Sequence, residues 1–127
     1  MASLTKLIRF IGDDLKANIT PNSHYNLNQD DKATYPYLTF DVSTEYYENH
    51  TDVGTIDVDI FDITKSYGRI IAIEDLLKNH YRLTNGAQGD GFIVRIDFER
   101  SMNIPTADPL IKRRTVQLNI KIDWSEV

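Results

Sequence analysis

The alternating stretch TVQLNIKIDW, residues 115–124, constrains the fold of this chain more than any other feature. Every second position from Val116 to Trp124 is apolar, and polar residues stand between them. Successive side chains of a β-strand point to opposite faces, so the pattern predicts a strand with one buried and one polar face. Such a strand needs a sheet around it and a second layer over its apolar face.

Three more stretches alternate in the same way: YPYLTFDVST at 35–44, GTIDVDIFD at 54–62 and FIVRIDFER at 92–100. In the second of these, Phe61 and Ile63 fall out of phase with the preceding apolar residues. This slip predicts a bulge or the end of the strand.

Two segments, 3–18 and 66–82, repeat apolar residues at helical spacing and are predicted helices. Ser3 is the expected N-cap of the first. In the second, Ile71 and Leu76 are expected to widen the buried stripe.

The resulting order α-β-β-α-β-β predicts an α+β fold in which residues 1–127 form a single domain. We expect a single four-stranded, mainly antiparallel sheet with two helices packed on one face and long hairpin loops. The loops are STEYYENHTDVG at 43–54 and RSMNIPTADPLIKRR at 100–114. The expected core comprises Leu7, Ile11, Phe40, Ile56, Val58, Ile73, Leu77, Val94, Ile96, Leu118 and Ile120.

Composition excludes several classes of function. The chain has a net charge of −5, which disfavours a protein that coats nucleic acid through phosphate contacts. It has no cysteine, hence no thiolate metal site and no thiol nucleophile. Its start lacks a continuous apolar run, so neither a signal peptide nor a membrane span is expected.

Asp57 and Asp59 are the strongest candidates for chemistry. They fall on one strand face about 6.6–7 Å apart, a separation that carboxylate pairs use in catalysis or in binding hard metals. No histidine or glutamate lies nearby in sequence, and Arg95 and Lys121 are available as cross-strand partners. We therefore interpret the pair as a solvated or intersubunit strand face, with a metal-dependent acidic site as the alternative.

Other motifs do not indicate catalysis. The three histidines at 24, 50 and 80 form no metal-ligand spacing. The glycines of GAQGDG follow a helix and precede a strand, the reverse of a phosphate-binding loop. No catalytic residue, metal ligand or cofactor site is predicted.

Two features favour contacts between proteins instead. Lys112, Arg113 and Arg114, with Arg100, make the base of one hairpin basic and are expected to pair with Glu99 or with an acidic neighbour. Tyr46 and Tyr47 are adjacent in a strand or connector, so at most one of them lies in the core.

The order of these pieces resembles the tail terminator proteins of tailed bacteriophages, also called tail completion or neck proteins. The resemblance covers about residues 3–125. It rests on the YPYLTFDV and VDIFDIT strands, the helix GRIIAIEDLLKNHY and the closing pair with IKRRTVQLNIKIDW.

This resemblance implies a virion protein that forms a ring, typically a hexamer, at the head-proximal end of the tail. Such a ring caps the tail tube, stops its polymerisation and joins the tail to the head. It implies assembly in the host cytoplasm, a tail tube protein and a head-tail connector protein as partners, and DNA that passes through the lumen without specific binding. A head-tail connector or adaptor role, and less favourably a metal-dependent enzyme using Asp57 and Asp59, stay open.

Overall fold

The structure, a computed structural model, describes residues 3–27, 34–64, 66–83 and 87–125. Its helices are α1 (Leu4–Asn18) and α2 (Gly68–Leu83), close to the predicted segments 3–18 and 66–82. Its strands are β1 (Ser23–Tyr25), β2 (Tyr37–Glu48), β3 (Thr51–Ile63), β4 (Ala87–Gly89), β5 (Phe92–Ile104) and β6 (Ile111–Trp124). Of the described part of the chain, no helix is long and apolar enough to cross a membrane.

The expectation of a four-stranded antiparallel sheet is wrong. The described strands form one six-stranded mixed sheet in the order β1-β2-β3-β6-β5-β4, curved into a half-barrel. β1 pairs with β2 in parallel, and β4 adds a second short strand at the opposite edge. Each has three residues, too few to show alternation, and β1 lies in a stretch whose polar composition indicates a loop.

The expected long hairpin loops are also wrong, because the strands continue through most of both stretches. β2 and β3 are joined by Asn49 and His50 alone, and β5 and β6 by residues 105–110. Asn49 and His50 both have positive φ, 29° and 67°, as the tight turn between twisted antiparallel strands requires.

The predicted core is confirmed, and all of its residues are buried in one cluster beneath both helices. The expectation that Ile71 and Leu76 widen the buried stripe of the second helix is wrong, since they are 45% and 48% exposed. The face of the sheet that bears the helices, marked by Ile56 and Val58, is called the inner face. The opposite face, marked by Asp57 and Asp59, is the outer face.

Polar side chains cap the first helix and hold the two helices together at one point. The Ser3 hydroxyl accepts a hydrogen bond from the Lys6 N–H at 3.3 Å, which confirms the predicted N-cap. Between the helices, the Asp14 carboxylate accepts from the Tyr81 hydroxyl at 2.9 Å and lies 2.8 Å from His80 Nε2. Burial, together with the nearby Asp14 charge, raises the pKa of Tyr81, so its hydroxyl stays protonated and holds α2 against α1.

The slip at Phe61 and Ile63 is not a bulge; it falls on the last residues of β3, which ends at Ile63, as the second alternative predicted. β3 keeps its register with β6 through Ile63, so Phe61 points to the outer face and Asp62 to the inner face. Phe61 is accommodated there because it stacks on Tyr37, with ring centroids 4.9 Å apart.

The main chains of β2 and β3 approach each other very closely at Gly54. A Cβ on Gly54 would lie 1.8 Å from the Ser43 carbonyl oxygen, so only glycine allows the two backbones to approach this closely. A depression of about 530 Å³ lies on the outer face at this level, lined among others by Glu45, Thr55 and Arg95. The helix-free face is therefore hollow at this level of the sheet.

Candidate interaction surface

The carboxylates of Asp57 and Asp59 both accept hydrogen bonds from side chains of the neighbouring strand β6. Asp57 accepts a hydrogen bond from Gln117 Nε2 at 3.2 Å. Asp59 accepts from the Thr115 hydroxyl and is 3.2 Å from Arg113 Nη2. The predicted partners Arg95 and Lys121 do not reach them, because Gln117 and Thr115 are the residues opposite in the register.

Asp41 completes an acidic group on the outer face. It lies directly opposite Asp57 in the β2–β3 register, two positions from the pair formed by Thr39 and Asp59. Burial, and then the charges of Asp59 and Asp57, raise the pKa of Asp41 above its ordinary value. Like charges that face each other across strands destabilise a sheet. The Asp41–Asp57 pair therefore lowers the stability of the fold.

This acidic group does not form a metal site. Within the part of the chain that the structure describes, no group of three or more histidine, aspartate or glutamate side chains is arranged to hold a metal ion. Asp57 and Asp59 accept hydrogen bonds from neutral donors and an arginine, which suits a structural strand face. The three histidines lie on β1, in the β2–β3 turn and on α2, at separate places in the fold.

The four basic residues have different environments. Arg113 points to the outer face, where it pairs with Asp59 and lies 5.4 Å from the Phe61 ring centroid. Arg100 donates from Nε to Gln117 Oε1 at 3.0 Å, and Gln117 in turn donates to Asp57. Lys112 donates to the Pro109 carbonyl at 2.7 Å. Among the described residues, none of these four forms a hydrogen bond or an ion pair with Glu99, their predicted partner.

Arg114, in contrast, points to the inner face. Its guanidinium donates to Glu74 at 2.5 Å, to Asn103 at 2.7 Å and to Ser101 at 2.8 Å. The side chain is 20% exposed and that of Glu74 only 4%. Arg114 is therefore committed to partners within the chain, and the expectation that it pairs across an interface loses its support.

Two buried carboxylates between the inner face and α2, Glu74 and Asp62, were not predicted from the sequence. Glu74 is held by Arg114 and by Lys78, whose Nζ is 3.0 Å away. Burial raises the pKa of Glu74, but hydrogen bonds from Arg114, Ser101 and Lys78 outweigh it and leave that pKa below its ordinary value. Asp62, fully buried, accepts two hydrogen bonds from Arg69 at 2.8 and 2.5 Å.

One sequence signal could have identified Asp62. It continues the series Ile56, Val58 and Ile60 at every second position, so the alternation itself places it on the inner face. For Glu74 the helical spacing gives the same indication, because it is one turn from Ile70 and from Lys78. Arg114, the main partner of Glu74, is 40 residues away in sequence, whereas Arg69, the partner of Asp62, is only seven residues away.

Tyr46 and Tyr47 lie at the tip of the β2–β3 hairpin and neither is in the core. They are 74% and 57% exposed. The Tyr46 hydroxyl accepts a hydrogen bond from the Asn49 N–H at 3.2 Å, which folds that ring towards the turn. Tyr47 occupies a register shift between Tyr46 and Glu48 and has no opposite residue in β3.

The outer face and this hairpin tip together form the candidate interaction surface. Comparison of the chain with protein-family models gave no match, and a search of curated proteins gave none either.

Proposed function

We propose that the chain is a structural virion assembly protein of the tail terminator type. In this proposal, copies form a ring at the head-proximal end of a phage tail, cap the tube and join it to the head. The tail tube protein and a head-tail connector protein are the partners, and assembly takes place in the host cytoplasm. The proposal starts from the resemblance in element order and rests on the surface features that follow.

The observation that carries the proposal is the tip of the β2–β3 hairpin. Two adjacent tyrosines, Tyr46 and Tyr47, are both more than half exposed there, on a rigid two-strand support. Tyrosine is enriched at the energetic centres of protein interfaces, because it supplies a large contact area and a hydroxyl at low entropic cost. Neither side chain packs in the core of the chain, so core stability does not explain their presence.

The outer face supports the same proposal. It is hollow, and it carries Asp41, Asp57 and Asp59 close together. A lumen lined in this way would repel phosphate and would offer no counterion release to DNA passing through it. DNA would then slide through the ring without binding.

The test uses tail tube protein from the same genome, polymerised in vitro with and without this chain. Tube length is measured by electron microscopy. We expect the wild-type chain to shorten the tubes and to be found at one end only. Changing Tyr46 and Tyr47 to alanine should raise the concentration needed for half-maximal shortening by roughly thirtyfold, since an interface hot spot contributes about 2 kcal/mol or more.

Leu76→Ala is the matched control, because Leu76 is also an exposed apolar side chain, 48% accessible, but lies on α2 away from the hairpin. It should cap tubes as the wild type does. Tubes whose length distribution does not change at saturating wild-type protein would contradict the proposed function. Capping that is unchanged in the double tyrosine variant would exclude the hairpin tip as the docking surface.

A further inference from the structure

Among the residues that the structure describes, two long strand edges of the sheet have a neighbouring strand along only part of their length. β1 covers only Leu38 to Phe40 of β2, and β4 covers only Phe92 to Val94 of β5. Beyond those points, no other strand of the described ranges lies beside β2 or beside the outer side of β5. An open edge presents unpaired main-chain groups and is a template for another strand.

Two hydrogen bonds to the β1 segment show which residues of β2 direct their main-chain N–H and C=O groups out of the sheet. The Leu38 N–H donates to the Asn22 carbonyl at 3.0 Å, and the Phe40 carbonyl accepts from the Asn26 N–H at 2.9 Å. Alternate residues of a strand direct their main-chain groups to the same side. Val42 and Thr44 therefore direct theirs out of the sheet.

The same reasoning applies to β5. The Trp124 N–H donates to the His50 carbonyl and the Ser125 N–H to the Gly91 carbonyl, so odd-numbered residues at the end of β6 face β5. In the register, their partners are the odd-numbered residues of β5 before its bulge. Ile96 and Phe98 consequently direct their main-chain groups out of the sheet.

Both edges carry charged side chains, but the other usual forms of protection are missing from these stretches. Residues 41–46 and 95–98 contain no proline, lysine or glycine, and the register shifts lie at the far end of each stretch. Proteins commonly prevent edge pairing with those residues or with bulges inside the edge. Phe98, 36% exposed, adds apolar surface next to the open groups of β5.

The two open stretches lie at the same level of the sheet. Thr44 is opposite Gly54, Gly54 is opposite Ile120, and Ile120 is opposite Ile96. Three successive antiparallel pairings separate β2 from β5, so the two strands run in opposite directions. A second copy placed beside the first with its helices on the same side would therefore bring β2 against β5 as an antiparallel pair, with Thr44 opposite Ile96.

Charge distinguishes this arrangement from pairing of like edges. In the same register Glu45 meets Arg95, and both are exposed and have no ion-pair partner among the described residues. Pairing two β2 edges about Ser43 would instead bring Asp41 against Glu45. Opposite charges across strands stabilise a pair and like charges destabilise it.

We propose that copies of this chain join head to tail by antiparallel pairing of residues 42–45 of one copy with residues 95–98 of the next. The contact is heterologous, so it closes into a ring or continues as a filament according to the angle between copies. Only the closure into a ring of fixed size rests on the proposed function. The pairing itself is carried by the open edges, their common level and their charges.

The test uses two single-cysteine variants, Ser43→Cys and Asp97→Cys, in a chain that has no cysteine of its own. These positions would form a non-hydrogen-bonded pair with Cα atoms about 4.5 Å apart, within reach of a disulfide. A mixture of the two variants should give a disulfide-linked dimer on mild oxidation, and neither variant alone should. Asn119→Cys, opposite Asp97 but one strand inside the edge, should give no dimer when mixed with Ser43→Cys.

A charge exchange gives an independent measurement by sedimentation. Arg95→Glu should weaken self-association by roughly tenfold, because it places two negative charges opposite each other. Adding Glu45→Arg to the same chain should restore it. A general loss of stability would not be rescued in this way.

A dimer from Asp97→Cys alone, no dimer from the mixture, or no rescue by the second charge change would overturn the inference. Such a result together with normal capping of tail tubes would leave the proposed function intact. Cross-linking from the mixture without any capping would support the edge pairing and contradict the proposed function.

Discussion

Arg113 and Arg114 are neighbours in sequence, but their side chains lie on opposite faces of β6 and have different energetic roles. Arg113 is 37% exposed and pairs with a carboxylate on the outer face. Arg114 neutralises Glu74, which is 4% exposed. An exposed ion pair contributes little, whereas loss of one partner of a buried pair leaves an uncompensated charge.

We therefore expect Arg114→Ala to lower the free energy of unfolding by about 3 kcal/mol, because Glu74 would remain buried without its main partner. Arg113→Ala should lower it by less than about 1 kcal/mol. Urea denaturation of both variants measures the difference. Equal effects of the two changes would contradict the assignment of Arg114 to the buried pair.

Asp41→Asn should stabilise the chain at neutral pH by up to about 0.5 kcal/mol, a value reduced by solvent screening. Folding raises the pKa of Asp41, so its carboxylate destabilises the fold at pH above that pKa, and the penalty is lost as pH falls through it. The gain in melting temperature should thus disappear on acidification. Asp97→Asn is the control, because Asp97 lies opposite Asn119 rather than a carboxylate and should show no gain.

At the scale of elements, the β2–β3 hairpin shows how little chain is needed to reverse a strand. Asn49 and His50 form the whole connection, and both adopt the left-handed backbone conformation. For a residue with a Cβ this conformation costs roughly 1 kcal/mol. The turn therefore contains two residues whose side chains disfavour the backbone conformation that they adopt.

Replacing His50 by glycine should raise the free energy of unfolding by about 0.5 kcal/mol, since glycine adopts positive φ without steric cost but loses more entropy on folding. The Trp124 N–H bonds to the His50 main-chain carbonyl, so this contact is retained. Thermal unfolding followed by circular dichroism measures the change. Glu48→Gly, at the end of β2, should destabilise, and a gain there would show that the effect is not specific to the turn.

At the scale of the whole molecule, the buried carboxylates of the inner face tie the sheet to α2. Asp62 on β3 bonds to Arg69, and Arg114 on β6 bonds to Glu74. Both pairs lie at the same end of the sheet, beyond the apolar core. The packing of α2 therefore depends on charge as well as on apolar contact, and so on pH.

The pH dependence of stability should reveal this. Folding lowers the pKa of Glu74, so its contribution is fully present above the ordinary value of 4.5 and is lost as pH falls through the folded value. Unfolding free energy should decline on the acid side of that value. Glu74→Gln should be less stable at neutral pH and show a weaker decline. Glu99→Gln, at an exposed position, should match the wild type, and equal slopes for all three would contradict this role of Glu74.

The sequence alone predicted the two helices and the existence of the four long strands. Every residue that it assigned to the core is buried. Each of these depends on a local period, of two or of about 3.6 residues, that a single segment carries by itself. The same period determined that Arg113 and Arg114 lie on opposite faces and that Asp62 points inward.

Only the tertiary structure decided which groups those side chains meet. β1 and β4 exist because neighbouring long strands offer a template, and three residues carry no period of their own. The Asp57–Gln117, Asp59–Thr115 and Glu74–Arg114 hydrogen bonds join residues 40 or more positions apart, a separation that no local pattern encodes. The open edges of β2 and β5 likewise follow from strand order, a property of the assembled sheet rather than of any one segment.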